Sequence, residues 1–171
     1  GCKPEDILAV SGKTGEGEAA LLYAVTERIP SPKGDESKDL RALVFDSRYD
    51  EYKGVVAYVR VTDGVLPSRG KFKMAATKVD FEAIEAGHLS PGEVQDKEIG
   101  TGQIGYVATG LKDIAGCRVG DTIVLEKSDV EALDGYKEAK PMVYAGIFPS
   151  EGNEFNRLRD AMDKIRLSDA S

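Results

Sequence analysis

Residues 11–17, Ser11-Gly12-Lys13-Thr14-Gly15-Glu16-Gly17, have the composition of a loop that could hold a phosphate or a nucleotide. Gly12-Lys13-Thr14 reads like the end of a G-x-x-x-x-G-K-[ST] loop, in which backbone N–H groups wrap a phosphate and the lysine reaches it. That motif needs glycine at position 7, where the chain has Ile7, so the donors are not arranged. Gly15-Glu16-Gly17-Glu18-Ala19-Ala20 fits G-x-G-x-x-A, but it sets two carboxylates where a pyrophosphate would sit. Gly100-Thr101-Gly102-Gln103-Ile104-Gly105 fits G-x-G-x-x-G and is followed by the strand-like Tyr106-Val107-Ala108-Thr109. With no helix N-terminus to face an anion, it reads as a turn. The single histidine, His88, lies in Gly87-His88-Leu89-Ser90-Pro91, read as a solvated loop, and no G-x-S-x-G elbow exists for a triad. Asp46, Asp50 and Glu51 bunch near a turn without calcium-loop spacing. Cys2 and Cys117 are far apart, so with one histidine no ligand set for zinc, haem or an iron–sulfur cluster assembles. No catalytic residues and no metal site are expected.

The elements behind these residues are bounded by composition. The chain has 171 residues, enough for one full core plus fragments, and its 23 Lys and Arg against 30 Asp and Glu give a net charge of −7. With 41% hydrophobic and 31% charged residues it reads as a globular protein, and no apolar run approaches the roughly 20 residues of a membrane helix. Two unpaired cysteines suit a reduced, intracellular setting. The acidic balance disfavours sequence-blind binding to phosphate backbones; DNA is not expected as a partner, and any RNA contact must be local and shaped.

Three pieces follow along the chain. Residues 7–10, Ile-Leu-Ala-Val, suit a buried strand, and Leu21, Leu22, Val25 and Ile29 mark the apolar stripe of a helix stopped by Pro30. Residues 32–39 are polar, contain Pro32 and Gly34, and read as a linker. Strands then dominate. Leu43-Val44-Phe45 leads into a polar connection, and residues 55–61 alternate, with Val55, Ala57, Val59 and Val61 on one face and Val56, Tyr58 and Arg60 on the other. Lys71-Phe72-Lys73-Met74, residues 81–86, 104–108 and 122–125 complete a series of short strands between glycine turns. Such a series favours a closed antiparallel barrel, because closure removes exposed edges. Residues 141–149 read as a strand bounded by prolines, and Phe155, Leu158, Met162 and Ile165 recur at helical spacing. One strand and one helix cannot bury a core alone. With no initiator methionine and no signal pattern, the chain is expected to be a fragment.

The middle piece carries a specific resemblance. Arg41-Ala42-Leu43-Val44-Phe45-Asp46-Ser47, Tyr49-Asp50 and Gly54-Val55-Val56-Ala57-Tyr58-Val59-Arg60-Val61 resemble the start of the second domain in the LepA (elongation factor 4) family of ribosome-associated translational GTPases. Gly105-Tyr106, Gly110-Leu111-Lys112-Asp113, Val119-Gly120-Asp121-Thr122-Ile123, Lys140-Pro141-Met142-Val143-Tyr144-Ala145-Gly146, Leu158-Arg159-Asp160-Ala161 and Asp169-Ala170-Ser171 extend it to the last residue. The resemblance implies a mainly β fragment: residues 1–31 as the end of a GTPase domain, a linker at 32–39, a translation-factor β-barrel at 40–135 and the start of a ferredoxin-like third domain at 136–171. Ser11-Gly12-Lys13 is similar to the Ser-Ala-Lys loop of such GTPases, where a backbone N–H faces the guanine oxygen; Gly12 replaces the usual alanine and makes the loop less stiff.

For the parent protein the resemblance implies GTP hydrolysis with GTP and magnesium, and binding to the ribosome, its RNA, its proteins and tRNA. It implies promotion of tRNA back-translocation and a cytoplasmic location with peripheral association to the membrane's inner face. Ribosome contact is expected through Arg48, Lys53, Arg69 and Lys112 in barrel loops. The fragment itself has no phosphate loop, switch region or Asn-Lys-x-Asp motif, so it is expected to carry no catalytic centre and to need no cofactor. Two other readings are a stand-alone RNA- or protein-binding barrel and a BipA-type or translocase-type ribosomal GTPase.

Overall fold

The period-two alternation of residues 55–61 builds the central strand of the molecule. In the computed structural model, which describes residues 3–113, 116–134 and 144–168, the chain divides into two units, Gly1–Lys33 and Gly34–Ser171. The second unit holds an antiparallel sheet. Its strands are β1 (Arg41–Asp50), β2 (Gly54–Asp63), β3 (Leu66–Pro67), β4 (Gly70–Met74), β5 (Asp80–Ala83), β6 (Glu85–Ser90), β7 (Gly92–Gln95), β8 (Glu98–Ile99), β9 (Ile104–Ala108) and β10 (Thr122–Leu125). The main sheet runs β5-β4-β10-β1-β2-β9-β6-β7, and β3 pairs with β8. The mainly β, antiparallel architecture expected from the sequence is what is found.

Two sequence features shape this sheet. Val55, Ala57, Val59 and Val61 join Leu40, Ala42, Val44, Phe72, Met74 and Ile123 in the main core, while Val56 forms a second cluster with Tyr106, Ala108 and Tyr58. On β1 the register against β2 slips between Val44 and Asp46. Ala42 and Val44 face the core before this bulge, and Ser47 and Tyr49 face it afterwards. A bulge inserts one residue and so flips the side-chain parity. The consequence is that Arg48 lies on the outer face instead of in the core.

The residues read as a polar connection, 46–54, are mostly strand, with only residues 51–53 turning. Asp50 accepts the backbone N–H groups of Tyr52 (2.9 Å) and Lys53 (3.0 Å), which lets a carboxylate close a hairpin that lacks an Asn-Gly pair. Gly54, at φ +70°, completes it, and a Cβ there would overlap the Leu111 carbonyl oxygen. His88, read as a loop residue, sits in β6 opposite Val94, because Pro91 turns the chain into the hairpin β6–β7. β5 and β6 are separated by one residue, Ile84, although β5 pairs with β4 and β6 with β9.

In the first unit, residues 7–10 form no strand, contrary to expectation. A strand needs a neighbour to take its backbone hydrogen bonds, and this unit contains none among the described residues. The helix is present as α1 (Glu18–Arg28), but its stripe is bare: Leu22 is 59% exposed and Ile29, its C-cap, 63%. At the far end α2 (Phe155–Ser168) covers the expected helix. Residues 144–149 are not a strand, and Tyr144, Ile147 and Phe148 are exposed, since no strand among the described residues pairs with them. The remainder of that expected strand, 141–143, lies outside the described residues. No helix among them is long and apolar enough to cross a membrane.

Candidate functional site

The loop at 11–17 is held by its own backbone. Ser11 N–H donates to the Glu16 carbonyl (3.0 Å), Gly15 N–H donates to the Ser11 carbonyl (2.9 Å), and the Ser11 hydroxyl oxygen accepts the Thr14 N–H (3.2 Å). Gly15 and Gly17 take φ of +76° and +80°, and Gly17 is the N-cap of α1. These bonds supply the stiffness that glycine at position 12 gives away. Gly12 has open space around it, and among the described residues the N–H groups of Gly12 and Lys13 have no hydrogen-bond partner. The loop therefore leaves two backbone donors free, and Glu16 and Glu18, which follow them in the chain, disfavour an anion there.

The four cations in the second unit fall into two kinds. Arg48 and Lys53 are brought together, but by carboxylates. Arg48 Nη2 lies 2.5 Å from Glu93 Oε1, its Nη1 3.4 Å from Asp50 Oδ2, and its Nε donates to the Tyr58 hydroxyl at 3.0 Å. Lys53 Nζ meets Glu85 Oε1 at 2.7 Å and Glu93 Oε2 at 3.1 Å, and lies 5.8 Å from the centre of the Tyr106 ring. The Tyr106 hydroxyl donates to Glu85 at 3.0 Å. Two cations thus face three carboxylates, and the cluster carries no positive excess. Arg69, in the turn between β3 and β4, and Lys112, after β9, are exposed and have no ion-pair partner among the described residues.

The register alone leaves Glu93 far from Arg48, since Glu93 pairs with Leu89, four residues along β6 from Glu85. Arg48 stands opposite Val56, Val56 opposite Ala108, and Ala108 opposite Glu85, so one row crosses β1, β2, β9 and β6. β7 is a strand further still, and four spacings of ~4.8 Å would separate a flat β7 from β1 by about 19 Å. A separation of 2.5 Å requires the β6–β7 hairpin to curl back over the outer face. The second apolar cluster, Val56, Tyr106 and Ala108, is buried, and Lys53 of the network lies over the Tyr106 ring.

Protonation follows from this wiring. Burial alone would raise Glu93, but hydrogen bonds from Arg48 and Lys53 outweigh it and hold the carboxyl below its ordinary range. Arg48 is held more firmly protonated by Glu93, and Lys53 by Glu85 and then Glu93. Tyr106 is pushed up to about 12 by burial and by the neighbouring Glu85. Glu85, Glu93, Tyr58 and Tyr106 were not among the residues singled out from sequence. Only the outward parity of Tyr58 with Arg60 on β2 pointed to this face. Among the described residues no group of three His, Cys, Asp or Glu side chains is arranged to hold a metal ion.

A mainly β, antiparallel domain with a polar ion-pair network on its outer face, joined to a helical unit that opens on a glycine-rich loop, defines the class. The chain is 48% identical over its whole length to elongation factor 4 of Corynebacterium urealyticum, 47% to that of Mycolicibacterium paratuberculosis and 47% to that of Kineococcus radiotolerans. It spans about a quarter of these curated relatives, 28%, 26% and 28% of their lengths. No protein-family model matches it. The chain is a homologue of one segment of elongation factor 4, the LepA family.

Proposed function

We propose that the chain is the part of a LepA-type translational GTPase that links its nucleotide domain to its ribosome-facing barrel. The observation that carries this reading is identity of 46–48%, over alignments that cover the whole chain, to proteins named elongation factor 4. In this reading residues 1–31 end the GTPase domain, 32–39 are the linker, 40–135 the barrel and 136–171 the start of a ferredoxin-like domain. The bare stripe of α1 supports the first assignment, since a final helix of a larger α/β domain has its partners elsewhere in that domain. Barrel closure is supported by the path through Ile84. One near-continuous segment pairs with β4 at one end and β9 at the other, and Ile84 N–H itself donates to the Ala108 carbonyl (2.9 Å), which supports a ring β4-β5/β6-β9-β2-β1-β10.

The whole protein would bind GTP and magnesium, hydrolyse GTP on the ribosome and promote back-translocation of tRNA. It would act in the cytoplasm, with peripheral association to the membrane. Ser11-Gly12-Lys13 would meet the guanine ring through the backbone only, with phosphates and magnesium left to other parts of the protein. Of the four cations, Arg69 and Lys112 are available to RNA phosphates, whereas Arg48 and Lys53 shape the barrel face. The test is binding of the full-length protein to small ribosomal subunits across a salt series. Arg69→Glu with Lys112→Glu should weaken binding and reduce the salt slope by about 0.7–0.9 for each phosphate no longer neutralised. Unchanged affinity and slope would place the ribosome-binding surface elsewhere.

A further inference from the structure

The segment read as a linker from its polar, unpatterned residues is not free along its length. α1 ends at Arg28 with Ile29 in an extended conformation, and two prolines, Pro30 and Pro32, follow. At Gly34 the chain enters a socket on the end of β2. A Cβ at this position would overlap the Thr62 carbonyl oxygen and the Thr101 side-chain methyl, so only glycine fits. Asp35 N–H donates to Asp63 Oδ1 (3.1 Å), and the Asp35 carbonyl accepts the N–H groups of Gly64 (3.0 Å) and Lys38 (3.3 Å). The Asp35 carboxylate accepts the Ser37 N–H (3.0 Å) and hydroxyl (2.6 Å), rolling residues 35–38 into a tight turn. Asp63, with a side chain only 5% exposed, is oriented from the other side by Arg41 Nε at 3.0 Å. Thr101, the far wall, is fixed by its hydroxyl donating to the Gly64 carbonyl (2.6 Å). Beyond the turn Leu40 is buried in the core.

We propose that this socket is the sheet-side anchor of an inter-unit strap, so that the reach between the two units is set by residues 29–33 alone and Asp63 is the positioning residue that sets it. Five residues span at most ~17 Å at ~3.3–3.6 Å each. Release of residues 34–39 would lengthen the free segment to eleven residues, roughly 37 Å fully extended. The two prolines keep the short strap stiff, with little freedom to coil. Opening the socket would replace this stiff spacer by a longer flexible one, with no change to either unit's core.

The experiment uses the 171-residue chain with Cys2→Ser and nitroxide labels at Glu27→Cys and Tyr52→Cys, both exposed positions. Cys117 is 1% exposed and its thiol is pushed up to about 12 by burial, so it stays unlabelled in the folded protein. Asp63→Ala and Gly34→Ala should each extend the upper end of the label–label distance distribution by 10 Å or more. Asp63→Asn, which keeps an acceptor for Asp35, should retain the parent distribution. Amide exchange is measured in parallel: the Asp35 and Gly64 amides should exchange at least tenfold faster in the two disruptive variants, with Val59 and Val107 unchanged. Gly34→Ala leaves Asp63 and Arg41 in place and decides the matter if Asp63→Ala perturbs the sheet. Faster exchange at Asp35 and Gly64 with an unchanged distance distribution would overturn the proposal, as would an unchanged exchange rate in Gly34→Ala.

Discussion

Glu93→Gln keeps the volume of the bridging side chain and removes its charge. Glu93 is 14% exposed and accepts from both Arg48 and Lys53, whose side chains are 40% and 32% exposed. A hydrogen bond to a charged group nets about 1.5–3 kcal/mol when protected, and exposed pairs net only ~0.2–1 kcal/mol. Half-exposed cations on a protected carboxylate fall between these, and glutamine still offers a neutral acceptor. The expected loss is about 1–3 kcal/mol at pH 7, a fall of roughly 3–12 °C in the melting midpoint. Direction with pH follows from the lowered folded-state value of Glu93 relative to its ordinary 4.5. The carboxylate's contribution is complete above about 4.5 and is lost as pH falls through the lower folded value. The gap between parent and variant should stay constant from pH 7 to about 5 and close below that. Chemical denaturation across this range reads the gap, and amide exchange in β6 and β7 reads the hairpin it holds down. A gap that persists unchanged to pH 3, or none at pH 7, would refute the stabilising role of Glu93 between Arg48 and Lys53.

Gly54→Ala should cost about 2 kcal/mol or more in chemical denaturation, because φ of +70° and the overlap with Leu111 act together. A piece spanning residues 34–135 should melt cooperatively and at a higher temperature than one spanning 40–135, since the shorter piece lacks the bonds of Asp35 to Asp63 and Gly64; equal midpoints would count against that contribution. A titration of the 171-residue chain with a fluorescent guanine nucleotide should show no saturable binding below millimolar concentration. One backbone hydrogen bond nets ~0.5–1.5 kcal/mol, whereas millimolar affinity needs about 4 kcal/mol, so magnesium-dependent micromolar binding would reveal an unseen phosphate site.

What was legible in the sequence is what period two reports. The alternation of residues 55–61 divides them between the main core and the outer cluster as observed, and the strands at 71–74, 104–108 and 122–125 lie where their patterns place them. β3 and β8 escaped because two residues hold no period, and β7 because Gly-Glu-Val-Gln carries a single apolar residue. Residues 7–10 and 144–149 failed for a different reason. An apolar run states that a strand would be stable once paired, and neither run finds a neighbour among the described residues.

The site was harder to read because charge is legible in a sequence and pairing is not. Arg48, Lys53, Arg69 and Lys112 look alike as loop cations, yet the bulge before Asp46 turns Arg48 onto the outer face and the curl of β6–β7 delivers Glu93 to it. Neither event has a short-range signature: the bulge is a register slip against β2, and Glu93 lies 45 residues from Arg48. In a chain of net charge −7, pairing decides which of these cations are engaged: Arg48 and Lys53 are held by carboxylates, whereas Arg69 and Lys112 have no ion-pair partner among the described residues. Carboxylates engaged by Arg48 and Lys53 are not available to neutralise Arg69 and Lys112. Exposed cations without an ion-pair partner among the described residues, Arg69 and Lys112 among them, are local points of attraction whose effect on binding depends on position and salt rather than on the sum of charges.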